Sequence, residues 1–174
     1  MRASFIAIAV WWACIVTGLI GFKEFTVQTG TEVILETRII DPRDLFRGDY
    51  VILSYDISRF NMSDTFLDND SIAPGGSVYV SLRIDGNGHA HPQNVYPEKP
   101  SVDVFFIKGK VHAVNNGFIN IVYGIESYFV PEGKGREIEQ KLREENINVR
   151  VTIDRFGNAV LTGLEDNSGN PVIQ

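Results

Sequence analysis

The run DYVILSYDI, Asp49 to Ile57, places Val51, Leu53, Tyr55 and Ile57 at every second position. A period of two belongs to a strand with one face on a core, because successive side chains of an extended chain point to opposite sides. The same rhythm recurs upstream and downstream. In TVQTGTEVILETRII, Thr31, Val33, Leu35, Thr37 and Ile39 share a face, with Glu32, Ile34, Glu36 and Arg38 opposite. In SVYVSLRI, Val78, Val80, Leu82 and Ile84 are expected inward and Ser77, Tyr79, Ser81 and Arg83 outward. VDVFFIKGKVHAV and GFINIVYGIESYFV are longer and more apolar, as central strands are. INVRVTIDRFGNAVLTGL reads as a hairpin turning at Gly157-Asn158. GKGREIEQKLREEN, residues 133–146, is the one soluble helix pattern, with an Ile138/Leu142 stripe and Glu-to-basic pairs four apart. The expected architecture is mainly β, an antiparallel sandwich or small barrel carrying one short surface helix.

Ahead of this domain lies ASFIAIAVWWACIVTGLIGF, Ala3 to Phe22, without a charge. About 20 apolar residues suffice to cross the hydrocarbon layer as a helix. Arg2 precedes the run and Lys23-Glu24 close it. The run is long for a signal peptide and TGLIGFKEF holds no A-x-A-like cleavage site, so a retained anchor is expected. Cys14 lies mid-span rather than at the exit where a lipoprotein cysteine would stand. The division is therefore 1–23 as a single transmembrane helix and 24–174 as the β domain. The membrane is the first expected partner, through residues 3–22. Arg2 and the terminal amine favour a cytoplasmic amino end. The protein is then expected to be single-pass with its domain outside the cytoplasm, which in a bacterium means the inner (cytoplasmic) membrane and the periplasm.

Charge narrows the functions. The 174 residues carry a formal net charge of −6, with 22 acidic against 16 Lys and Arg side chains. Nucleic acid is not an expected partner, because phosphate neutralisation needs a basic face. With its one cysteine in the apolar run, the domain has neither disulfides nor cysteine metal sites. His89 and His91 in HAH, with His112 as the spare, form too small a set for a metal, and DGNG lacks the acidic positions of a calcium loop. No phosphate loop or dinucleotide pattern occurs, and no cofactor is expected. Met62-Ser63 with Lys108 or Lys110 makes no supported nucleophile–base pair. No catalytic residue is assigned, and the expected role is non-enzymatic.

The most charged stretch, DPRDLFRGDY, runs directly into the opening strand. Pro42 favours an extended Asp41, and Gly48 permits a reversal. Arg43 and Arg47 can clamp Asp41 and Asp44 in two-pronged pairs, with Leu45 and Phe46 pinning the loop. Such a corner satisfies itself or grips a partner.

Gly48, Asp49, Tyr50, Leu53 and Tyr55 fill the pattern Gly-Asp-Tyr-x-x-Leu-x-Tyr, and the chain resembles the GDYXXLXY family of bacterial membrane-anchored proteins. A second block with that resemblance is VYGIESYFVPEGKGREIE, with Tyr123, Gly124, Glu126, Tyr128, Pro131 and Glu132. The resemblance implies an anchored accessory protein, often encoded beside a multi-span membrane protein, and implies no particular activity. The two blocks can meet, with Tyr50, Tyr123 and Tyr128 supplying hydroxyls and Asp49, Glu126 and Glu132 accepting. The candidate partner- or ligand-binding residues are thus Asp41, Arg43, Asp44, Arg47, Asp49, Tyr50, Tyr55, Tyr123, Glu126, Tyr128 and Glu132. Binding of a membrane or envelope protein is expected first. An envelope glycan or small ligand is the alternative, and a hydrolase built on the carboxylates comes last.

Overall fold

The computed structural model describes residues 2–38, 50–65, 67, 73–101, 103–129 and 147–172. The charged corner Asp41–Asp49, Glu132 and the helix pattern 133–146 lie outside them.

Helix α1 spans Arg2–Thr29 and runs straight through the expected end of the apolar segment. Its residues Phe5–Thr29 are long and apolar enough to cross a membrane, with a mean hydropathy of 2.2 over the most apolar 18 residues. Phe5, Trp11, Trp12, Leu19 and Phe22 stand bare on its surface. At its lower end the helix stops being bare. Thr26 is fully buried against the β domain.

The domain follows at once. Strand β1 (Thr31–Arg38) pairs antiparallel with β10 (Asn148–Ile153), which pairs with β11 (Ala159–Glu165), while the end of β1 pairs with β3 (Ser54–Tyr55). The second sheet runs β4 (Arg59–Asn61), β8 (Phe118–Val122), β7 (Phe106–Asn115), β5 (Ser77–Ile84), β6 (Ala90–Tyr96). A small ladder joins β2 (Tyr50–Ile52) to β9 (Ser127–Phe129). Val33, Leu35, Val149, Val151 and Ile153 of the first sheet meet Val78, Val80, Ile107, Val111, Ile119 and Ile121 of the second in one core. Burying aliphatic side chains at about 1.5–3 kcal/mol each is the main stabilising term. The domain is therefore mainly β, antiparallel and two-layered, as its alternation predicts.

Three details depart from that pattern. DYVILSYDI is not one strand: β2 turns away to β9, β3 pairs β1, and Asp56–Ser58 form a 3-10 turn. Leu53, Tyr55 and Ile57 still share the core, because the breaks fall between them without reversing their side. In β5, Ser81 is buried and Ile84 is 39% exposed, the reverse of the alternation. The pairing to β6 shifts register here, Ser81 facing Asn94 and Leu82 facing Pro92, so the extra residue, Gln93, lies on β6. Ser81 is satisfied inside: its hydroxyl donates to the Asn94 carbonyl and accepts from the Asn94 amide. Finally, the β10–β11 turn is centred on Arg155-Phe156, with Gly157 following in the left-handed region at φ +83°. The Gly157 amide donates to the Asp154 carbonyl (2.9 Å) and the Asp154 amide to the Asn158 carbonyl (3.0 Å). This is a three-residue loop with a glycine bulge rather than a two-residue turn.

Candidate functional site

Two separated stretches of sequence meet where the first strand pair of the domain ends. The chain from Leu53 to Ile57 and the loop from Tyr123 to Glu126 are tied by reciprocal bonds. The Tyr55 hydroxyl donates to the Ile125 carbonyl at 2.5 Å. The Tyr123 hydroxyl donates to the Ile57 carbonyl. The Leu53 amide donates to the Glu126 carbonyl at 2.7 Å. Each tyrosine thus reaches into the other block and satisfies a backbone acceptor that neither ladder serves.

Glu126 does a different task. Its carboxylate accepts from the Tyr123 amide and, at 2.9 Å, from the Gly124 amide. Gly124 sits at φ +82°, so the loop reverses tightly and turns two amides toward one side chain. Burial pushes the Tyr55 phenol well above its ordinary value, and the nearby Glu126 charge adds to the rise. Tyr123 is raised by the same two causes in the same order. Both phenols are therefore held neutral as hydrogen-bond donors.

The sequence pattern brought these blocks together but not in this pairing. The hydroxyl of Tyr123 goes to a carbonyl, and Glu126 spends its oxygens on amides. A further residue carries the arrangement: Gly109 of β7. A Cβ built there would lie 2.4 Å from Ile121 Cγ2 and 2.9 Å from Tyr123 Cε1, so the Tyr123 ring packs directly against bare backbone. An isolated glycine inside the strand run FIKGKV was the available signal, since such a glycine marks close approach.

Beside this junction lies a cavity of 640 Å³, lined by Tyr55, Ser58, Arg59, His112, Asn120 and Glu126 among others. His112 falls where the β7–β8 register shifts between Val111 and Ala113. A bulge re-aims a side chain, and here it brings an imidazole to the cavity wall. Arg59 stacks over the Phe118 ring at 4.1 Å. The cavity joins a guanidinium, an imidazole and a carboxylate to apolar Ile52, Leu53 and Ile121, a mixture suited to holding a polar molecule.

The remaining candidates scatter. Tyr128 is half-buried and lines a separate cavity of 230 Å³ with Arg150 and Glu165. Tyr50 pairs through its backbone with Phe129. His91 Nε2 lies 3.2 Å from Asp85 Oδ2, and His89 Nδ1 lies 3.5 Å from Glu36, too long for a hydrogen bond. Among the described residues no three His, Cys, Asp or Glu side chains converge as a metal set.

Among the described residues, a two-sheet β domain runs on directly from a long apolar helix, its sheets cross-tied by paired tyrosines, and this defines the class as a helix-bearing antiparallel β protein. Within it the chain belongs to the GDYXXLXY family, whose pattern matches residues 12–164 and so takes in the later part of α1 and almost all of the domain. No curated protein and no solved structure matches the chain.

Proposed function

We propose that this chain is a membrane-anchored interaction protein without catalysis of its own, its β domain holding a membrane or envelope protein partner from the periplasmic side of the inner membrane. The observation that carries this is where the motif's polar groups go. Tyr55 and Tyr123 spend their hydroxyls on backbone carbonyls, and Glu126 accepts two backbone amides. A general acid, base or nucleophile must reach a substrate proton or reacting atom, whereas these groups shape the scaffold. The retained anchor is supported by Thr26, which is buried in the domain interface rather than left on a disposable leader.

The test is extraction of the full-length chain in mild detergent after expression with a multi-span membrane protein encoded beside it. A stoichiometric complex that survives gel filtration is expected. Recovery of the lone chain under the same conditions would remove the partner reading.

The 640 Å³ cavity favours a second reading, a site for a small polar envelope ligand such as a glycan fragment. Arg59 and Glu126 supply opposite charges, and His112 and Asn120 supply directional bonds. Saturable binding of an envelope oligosaccharide that Arg59→Ala weakens tenfold or more, without a change in melting, is the expected sign. Binding unchanged by Arg59→Ala would dismiss it.

A further inference from the structure

The end of α1 is locked to one turn of the domain. The Thr26 hydroxyl lies 3.3 Å from both the Phe22 carbonyl and Asp154 Oδ2, so its single proton serves either. Asp154, 4% exposed, also accepts from the Phe156 and Asn158 amides and from Asn158 Nδ2. Gly30 follows with no room for a side chain: a Cβ would lie 2.5 Å from Thr152 Cγ2 and 2.8 Å from the Ile153 carbonyl. The turn Asp154–Asn158 therefore has a fixed height along the helix axis.

That height follows from helix geometry. Thr26 is four residues past Phe22, or about 6 Å at 1.5 Å per residue. The headgroup layer on each side of the hydrocarbon is about 5–7 Å thick. If Phe22 marks the hydrocarbon boundary, the turn lies among headgroups. What it presents there suits them. Phe156 is 45% exposed, and Phe22 and Phe25 near the end of the helix are exposed as well. The Arg155 guanidinium sits 4.8 Å from the Phe156 ring centroid, and the Lys99 ammonium lies 5.4 Å from the same ring and 5.5 Å from Phe106. Both cations are exposed, and neither is ion-paired to a carboxylate among the described residues. Between them a cavity of 390 Å³ opens beside Thr29 and Thr31, with Asp103 also on its wall.

We propose that Lys99, Arg155 and Phe156 form a collar that seats on the bilayer surface, the two cations holding anionic phospholipid headgroups and the ring entering the interface. This rests on the anchored reading above. It places two cations of an otherwise acidic chain at the one level where lipid phosphates are concentrated. Each basic side chain near an anionic surface gains from that potential within a Debye length.

The test uses the full-length chain with Cys14→Ser, carrying one nitroxide at Ser101→Cys beside the collar or at Asn167→Cys in the far turn. Nanodiscs of phosphatidylcholine, with or without phosphatidylglycerol, include a lipid bearing a nickel-chelating headgroup. Nickel is expected to relax the label at 101 several-fold more than at 167, and phosphatidylglycerol to increase that difference. Lys99→Glu with Arg155→Glu should abolish the increase while melting is unchanged, since both side chains are exposed. Equal relaxation at the two positions, or an increase that survives charge reversal, would overturn the collar alone. A chain that fails to float with vesicles would overturn the anchor and the collar together.

Discussion

Asp154–Asn158 and Asp166–Asn170 are the same turn written twice. In each, the aspartate oxygen accepts from the amides two and four residues on, the glycine amide donates to the aspartate carbonyl, and the aspartate amide donates to the final asparagine carbonyl. Both glycines have positive φ, +83° and +79°. A third copy, Asp85–His89, repeats the pattern with Gly88 at φ +90°. What differs is the surrounding. Asp154 is buried beneath the helix end and receives Thr26, whereas the Asp166 turn is largely exposed. Local chemistry makes the turn, and its place in the fold decides what the turn holds.

That contrast can be broken by matched substitutions, read as thermal melts of the full-length chain in detergent. Asp154→Ala strands two turn amides in a buried setting, leaves the Thr26 hydroxyl only the Phe22 carbonyl, and should cost about 3 kcal/mol. Asp166→Ala should cost about 1 kcal/mol, because water replaces the lost acceptor. Equal losses would mean that burial adds nothing to the turn. Gly157→Ala should also cost about 3 kcal/mol. It combines left-handed strain with a Cβ 2.7 Å from Phe106 Cε2 and 2.8 Å from the Lys108 amide nitrogen. Gly169→Ala meets nothing within 4 Å and should cost about 1 kcal/mol, the backbone strain alone.

Thr26→Val keeps the shape of the joint and removes only its hydroxyl. It should cost about 1 kcal/mol, and Asp154→Ala on top of it should cost less than the sum, because the two share one bond. Strict additivity in that cycle would show the pair to be uncoupled.

Alkali separates the turns from the tyrosine junction. Tyr55 and Tyr123 are raised above 10.0 when folded, while unfolded phenols ionise near that value. Above pH 10 the unfolded chain therefore loses protons that the folded chain keeps. The stability these groups contribute is complete below pH 10 and falls as pH rises. The loss approaches about 1.4 kcal/mol per pH unit for each phenol. Tyr55→Phe with Tyr123→Phe should flatten the alkaline limb of a melting-versus-pH curve, and an unchanged limb would contradict the buried-donor account.

Much of this was legible in the chain. Alternation located β1, β5 and the core positions Leu53, Tyr55 and Ile57, because a half-buried strand must repeat every two residues. The apolar helix was legible from length alone, and so was the hairpin of β10 and β11, although its loop centres on Arg155-Phe156 rather than on Gly157-Asn158. What was illegible depends on partners distant in sequence. Ser81 is satisfied inside only because the Asn94 backbone of β6 meets its hydroxyl. The Tyr123 ring needs Gly109 beneath it. Thr26 finds Asp154 across 128 residues. The two tyrosine blocks could be expected to meet, yet which atom each hydroxyl reaches follows from loop reversal at Gly124, which carries no periodic signal.

Gly30 leaves no slack between rod and body. The residue is clamped between the Thr26 carbonyl of its own helix and the Thr152 methyl and Ile153 carbonyl of β10, so the helix passes into β1 with no swivel. A helix that leans to match a thinner bilayer would swing the whole β body through the same angle. A neighbour in the membrane that nudged the rod would thereby steer the face offered above it, as a rudder answers its stock.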